Sequence, residues 1–195
     1  MTAAVTAAHE YMRPRVRAGG IGVDATAGRG HDTVFLARLL GPEGVVHACD
    51  VQPAALAATQ QRWLTLAAPK AALHLHACGH ESMKQSLVDQ GVTQLQAVIF
   101  NLGYLPGTDH AITTSAATTL TALQDLLTLL TPGGILTVVA YPGHPGGREE
   151  LDAILAWARQ LPPSIGLARH LQWLNLGPDR AEMIAIEADP TDWSA

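Results

Sequence analysis

Apolar residues along this chain switch repeatedly between two spacings, short continuous runs and stripes three to four residues apart. Runs such as 95–101 (Leu-Gln-Ala-Val-Ile-Phe-Asn) read as buried strands, and stripes such as 34–40 (Val-Phe-Leu-Ala-Arg-Leu-Leu) as amphipathic helices. In order, the pattern predicts an alanine-rich helix at about 3–18, stopped by Gly19-Gly20, and a strand at 21–25. A helix at 31–40, closed by Gly41-Pro42, and a strand at 44–50 follow. Pro53 suits the first turn of a helix reaching Ala67, before Pro69. A strand at 71–77, a helix at 80–90 ended by Gly91 and the strand at 95–101 come next. The connection 102–114 is long, and structureless loops of that length tend to be functional. A helix at 115–130 stops at Thr131-Pro-Gly-Gly134, ahead of a strand at 135–141, a turn from Pro142 to Gly147 and a helix at 148–160. Gly177-Pro-Asp-Arg180 is a hairpin signal between strands at 167–174 and 181–187. The expected architecture is α/β: a mainly parallel seven-stranded sheet with one antiparallel strand and helices on both faces.

Composition narrows the class. The chain has 195 residues, 48% of them apolar, with no repeats or linkers, so a single domain over 1–195 with a sizeable core is expected. No apolar run approaches the roughly 18–20 residues of a membrane span, and Met1 to Arg13 lacks the pattern of a signal peptide. Cys49 and Cys78 fall at predicted strands and read as thiols of a reducing cytoplasm. The net charge of −5 argues against non-specific coating of nucleic acid, and no DNA partner is expected. The charge is uneven, however. Arg13, Arg15, Arg17, Arg29 and Arg38 face only Glu10, Asp24 and Asp32 in the first 38 residues. That edge suits a few phosphates, and equally a solvated helix face.

Chemistry concentrates in Gly22-Val-Asp-Ala-Thr-Ala-Gly-Arg-Gly-His-Asp-Thr33, a strand, a tight turn and a helix start. Gly28 and Gly30 let backbone approach a ligand, and the helix behind them offers unpaired N–H groups. Asp50 follows Gly30 by twenty residues, a spacing that suits ribose hydroxyls. A dinucleotide fingerprint would need a third small residue where Thr33 stands, and Asp24 and Asp32 would repel a pyrophosphate. Both acids would attract a cationic amino acid. The stretch resembles motif I of class I S-adenosyl-L-methionine methyltransferases. That resemblance implies a cofactor held by Asp24, Thr26, Ala27, Gly28, Gly30, His31, Asp32 and Thr33. Asp50, Val51 and Gln52 would take the ribose and one adenine face. Such enzymes often place an acid for the adenine amino group after the third strand; here Cys78 stands there, with Gly79 and His80. His74, His76, His80 and Cys78 have no recognised ligand spacing, so no metal is expected.

Asp24, Asp50, Cys78, Asn101 and Tyr141 all fall at or just past predicted strand ends, which points to one site. Phe100-Asn-Leu-Gly-Tyr104 is similar to the Asp/Asn-Pro-Pro-Tyr/Phe motif of amino-group methyltransferases, with Leu102 and Gly103 in place of the prolines. Methyl transfer is an in-line displacement, so the acceptor lone pair must point at a carbon about 3 Å away. The Asn101 amide oxygen and the Leu102 carbonyl suit that task, and the Tyr104 ring suits stacking on a base. Gly103 would border the cofactor as well. Leu105, Pro106, Gly107, Asp109, Tyr141 and Arg148 are the remaining substrate-side candidates, with Arg148 meeting a phosphate. An amine must lose a proton before it attacks. His110 and His144, with an ordinary pKa of about 6.5, are equally suited to receiving it or to fixing loop structure.

Taken together, Asp24 to Thr33, Phe100 to Gly107 with Asp109-His110, and Tyr141-Pro-Gly-His-Pro-Gly-Gly147 resemble the small rRNA methylase family, from about residue 5 to 187. The resemblance implies a Rossmann-like class I methyltransferase without an added RNA-binding domain, using S-adenosyl-L-methionine. It also implies a cytoplasmic homodimer acting on the anticodon arm of tRNA, N-methylating the 5-aminomethyl group of a wobble 2-thiouridine. Methylation of rRNA or of a small amine is the alternative within that class. An NAD(P)-dependent oxidoreductase and a SAM-binding module without turnover are the alternatives outside it; Asp32 and Thr33 count against the oxidoreductase.

Overall fold

Seven apolar runs become strands in the computed structural model, which describes residues 2–67, 70–103 and 114–188. They are β1 (Ile21–Asp24), β2 (Val45–Cys49), β3 (Ala72–His76), β4 (Leu95–Asn101), β5 (Leu130–Ala140), β6 (Gly166–Leu171) and β7 (Glu182–Ala188). The helices are α1 (Ala3–Met12), α2 (His31–Leu40), α3 (Pro53–Leu64), α4 (Met83–Val88), α5 (Ala116–Leu127) and α6 (Gly147–Gln160). A short 3-10 turn, His80–Ser82, leads into α4. The strands form one sheet in the order β3-β2-β1-β4-β5-β7-β6. β1 to β5 pair in parallel, and β7 runs against both β5 and β6, as expected from the hairpin signal.

Alternation along the strands divides the core between two faces. Val98 and Phe100 of β4 join Leu136 and Val138 of β5 and Ile184 and Ile186 of β7, against Leu123 and Leu126 of α5 and Leu151 and Ile154 of α6. Ala97 and Ile99 point the other way with Val46, Ile135, Val139 and Ala185, against Ala4, Ala8 and Met12 of α1 and Phe35, Leu36 and Leu40 of α2. Each face buries apolar surface worth roughly 25 cal/mol per Å2. Ser115 caps α5 by accepting the Thr118 N–H, and Thr2 caps α1 by accepting that of Val5.

Some boundaries differ from the periodicity. α1 ends at Met12 rather than near 18, because Pro14 has no N–H to continue the ladder. β5 begins at Leu130 instead of 135: Leu130 pairs with Leu95, and a register shift absorbs the Pro-Gly-Gly that reads as a stop. The helix expected over 80–90 divides into the 3-10 turn and α4.

Gly30 sets how close α3 comes to the turn after β1. Its φ is +74°, and a Cβ built there would stand 2.8 Å from Thr59 Cα. We expect Gly30→Ala to lower stability by about 1–3 kcal/mol, because backbone and not a flexible side chain must yield. A urea melt should show a lower midpoint at an unchanged slope.

Candidate active site

The carboxyl ends of β1 to β5 open onto a cleft of about 840 Å3. It lies where the strand order reverses between β1 and β4, the place where open α/β sheets hold ligands. Thr26, Ala27, Gly28, His31 and Asp32 line it from the turn and the start of α2. Asp50, Val51 and Gln52 line it after β2, and Cys78, Gly79 and His80 after β3. Asn101, Leu102 and Gly103 close it at β4, with Tyr141 and His144 beyond β5. Tyr104, Leu105, Pro106, Gly107, Asp109 and His110 lie outside the described residues.

Asp24, Gly30, Thr33 and Arg148 do not line the cleft. Asp24 is fully buried beneath the turn. Its Oδ1 accepts the Thr26 N–H at 3.2 Å and its Oδ2 the Thr33 hydroxyl at 2.6 Å. Asp24 and Thr33 therefore hold the turn's shape, and Gly30 supplies its close contact with α3. Arg148 donates to the Pro178 carbonyl and stands 4.0 Å from both Asp152 and Glu182, so it fastens the 177–180 turn to α6. His74 and His76 lie on the far side of β3, where His76 Nε2 is 3.0 Å from His47 Nδ1. Among the described residues no group of three His, Cys, Asp or Glu side chains could hold a metal ion.

Backbone donors fix the carboxylate expected at the ribose. Asp50 Oδ2 accepts the Gly28 N–H and Oδ1 that of Gln52, both at 2.9 Å. Each oxygen keeps a second lone pair for a hydroxyl in the cleft. Asn101 is held from two sides: its N–H donates to Thr26 Oγ1 at 2.7 Å, and its Nδ2 to Asp32 Oδ2 at 3.1 Å. A carboxylate only accepts, so the amide's NH2 must face Asp32 and its oxygen the opposite way. Asp32 Oδ1 in turn stands 2.7 Å from His9 Nε2.

The other wall is supported by a clasp between Gly103, Thr114 and α6. Thr114 and Gly103 clasp each other, Gly103 N–H to Thr114 Oγ1 at 3.1 Å and Thr114 N–H to Gly103 O at 3.3 Å. The Thr114 and Thr119 hydroxyls both donate to Glu150, at 2.7 and 2.6 Å. Gly103 has φ +124°, a conformation that suits glycine, and a Cβ there would meet His144 Nε2 at 3.7 Å. Thr2, Glu81, Ser115, Thr118 and Asp179 also line the cleft and were not among the expected site residues, and Arg29 of the basic edge lines it too. A legible signal existed for Glu150 alone: it is a charged residue on the stripe of Gly147, Leu151, Ile154 and Ala158 that α6 buries.

Burial and the charge of Asp32 push Asp24 up to about 7. The Cys49 thiol beside Cys78 and the Ser86 hydroxyl hold Cys78 down to about 6, while the neighbouring Cys78 and burial push Cys49 up, whose S–H donates to the Ala25 carbonyl at 3.3 Å. Burial lowers His80, whose ring packs edge-on to Phe100, and raises Tyr141.

The strand order and a cleft at its point of reversal define a class I methyltransferase fold. Residues 46–187 match the family described as "Putative rRNA methylase". The chain belongs to that family. A crystal structure of a protein described as a "putative rRNA-methylase" from Clostridium thermocellum superposes with a TM-score of 0.88 at 34% identity, covering 96% of this chain and 98% of that one. A Streptococcus mutans protein described as a "putative methyltransferase" and solved in complex with SAH gives 0.81 at 32% identity, covering 96% and 99%. The chain is also 34% identical over 179 residues to a chloroplastic tRNA (mnm(5)s(2)U34)-methyltransferase of Arabidopsis thaliana. That match takes in 88% of this chain and 65% of the relative, so the chain spans about two thirds of that protein's length.

Two titrations follow from the site. The folded state holds Asp24's proton more tightly than the unfolded chain, whose carboxyl ionises near 3.9. Its contribution to stability is complete below about pH 4 and is lost as pH rises through about 7, at up to about 1.4 kcal/mol per pH unit. Subtracting urea melts of ligand-free Asp24→Asn from those of the wild type should isolate that slope. Alkylation by iodoacetamide should label Cys78 with a midpoint near pH 6 and leave buried Cys49 unlabelled, as read by peptide mass spectrometry.

Proposed function

We propose that the chain is an S-adenosyl-L-methionine-dependent N-methyltransferase acting on tRNA, methylating the 5-aminomethyl group of a wobble 2-thiouridine. The orientation of Asn101 carries this reading: Asp32 takes its NH2, which leaves the amide oxygen as an acceptor for an amine N–H. Family membership, the name of the Arabidopsis relative and the SAH complex of the Streptococcus mutans neighbour support it.

The donor set fits a cationic nucleoside cofactor. Asp32 and Asp50 line the cleft together with Ala25, Ala27 and Leu102, and Asp50 is already aimed by two backbone N–H groups. When bound, S-adenosyl-L-methionine supplies an electrophilic methyl group on a positively charged sulfur. Asp50 would hold the ribose, Val51 would cover the adenine, and Asp32 would face the amino-acid end.

The remaining work falls to this chain's own groups. Asn101 Oδ1 and the Leu102 carbonyl accept the N–H bonds of the substrate amine and so point its lone pair into the cleft. His144 Nδ1 stands 3.0 Å from the Pro145 carbonyl, an acceptor, so Nδ1 carries the hydrogen and Nε2 the lone pair of the neutral ring. We assign the amine's proton to that Nε2. Among the described residues no helix is long and apolar enough to cross a membrane. We place the protein in the cytoplasm as a homodimer on the family resemblance.

Mass spectrometry of nucleosides from tRNA bearing the aminomethyl group, incubated with the protein and S-adenosyl-L-methionine, tests the reading. Wild type should produce the methylaminomethyl nucleoside. Asn101→Ala should lower turnover by about 100-fold while SAH affinity stays within about threefold. Methylation of rRNA or of a free amine, with tRNA left unchanged, would replace tRNA as the substrate.

A further inference from the structure

His9 lies behind the cleft, on the buried side of α1. It is 6% exposed, and its ring lies flat on Phe35 of α2, with centroids 3.6 Å apart and planes within 2°. The stacking alone does not need a histidine, since an apolar ring would pack there without a polar atom to satisfy. The polar atom has a partner: His9 Nε2 stands 2.7 Å from Asp32 Oδ1, and the other oxygen of Asp32 accepts from Asn101 Nδ2 at 3.1 Å. Three side chains from α1, α2 and β4 thus form one line that ends at the cleft.

We propose that His9 is a positioning residue for methyl transfer, fixing Asp32 so that the Asn101 amide presents its oxygen to the acceptor amine. The proposal rests on the function proposed above and goes beyond it by naming a residue that touches neither substrate nor cofactor. The two ends of an asparagine amide are nearly equal in shape, so only hydrogen bonding selects between its flipped orientations. Asp32 makes that selection while one of its oxygens faces Nδ2. A carboxylate gripped at one oxygen alone can swing about its own axis and release the amide. A donor on each oxygen prevents that swing: Nε2 of His9 holds one and Nδ2 of Asn101 the other. An acceptor amide turned around would offer N–H to N–H and leave the amine unaimed.

Two variants of the full chain separate this role from packing. His9→Phe keeps a ring on Phe35 and removes the donor. His9→Gln keeps an N–H at the reach of Nε2. We expect kcat to fall about 10- to 100-fold in His9→Phe, with KM for tRNA and SAH affinity within about threefold of wild type. His9→Gln should recover kcat to within about fivefold. The double variant His9→Phe/Asn101→Ala should be no slower than Asn101→Ala, because His9 acts through that amide. In the 1H–15N spectrum the Asn101 side-chain pair, identified by its loss in Asn101→Ala, should shift in His9→Phe and return in His9→Gln.

Wild-type turnover in His9→Phe overturns the proposal, as does a double variant in which the two losses multiply. A joint fall of kcat, SAH affinity and thermal midpoint in both variants assigns His9 to packing and overturns it too. An Asn101 signal that does not move in His9→Phe overturns it independently of any turnover. If that signal moves and wild type leaves tRNA unmethylated, the positioning geometry stands and the proposed function falls.

Discussion

Two carboxylates share the turn that enters α2, and the rest of the site depends on their not bearing charge in the same way. Asp24 is fully buried, and burial together with Asp32's charge raises it to about 7. Asp32 lies in the first turn of α2, where the helix dipole favours an anion, and it has a donor at each oxygen. Like charges this close are relieved when one of the pair keeps its proton. Asp24 is the one pushed up, and its Oδ2 ties β1 to α2 by accepting the Thr33 hydroxyl. Asp32 then links α1 and β4. A helix N-terminus already faced by a side-chain carboxylate is a poor cradle for pyrophosphate, and that separates this turn from a dinucleotide site.

Another buried carboxylate organises the opposite wall. Glu150 is 2% exposed near the start of α6 and receives hydroxyls from Thr114 and Thr119. Thr114 passes this anchorage to Gly103 through paired hydrogen bonds. The residues before and after 104–113 are therefore clasped to each other and to α6. Asn101, two residues from Gly103, is thus held between Asp32 on one side and the Glu150 clasp on the other. Breaking either wall would free the same short stretch, Asn101-Leu102-Gly103.

Much of this was legible because it depends on spacing. The strand ends at Asp50, Cys78, Asn101 and Tyr141 converge, since a parallel sheet puts all its carboxyl ends on one rim. Asp24 sits at its strand end too but is buried beneath the turn, its oxygens taken by Thr26 and Thr33, and residue spacing carries no record of those partners. Arg148 reads as a phosphate ligand only until the fold brings Pro178 beside it. His9 and Thr114 were not legible because their partners are 23 and 36 residues away in sequence. Phe35 would have looked like an ordinary core residue. Only Glu150 betrayed itself, as a charge on a buried stripe.

Cys78 shows how a departure from pattern can be resolved by chemistry. Methyltransferases of this class often place an acid where this chain has a thiol, which at first suggests that a negative charge has been lost. The Cys49 thiol and the Ser86 hydroxyl stabilise the Cys78 anion and hold it down to about 6. At neutral pH the group is then largely ionised, and the charge returns on sulfur instead of oxygen. Cys49 stays protonated because it is buried, lies beside Cys78 and donates its S–H to the Ala25 carbonyl at 3.3 Å. The two thiols are pushed apart: the buried one at the end of β2 is raised, and its neighbour past β3, on the cleft, is lowered.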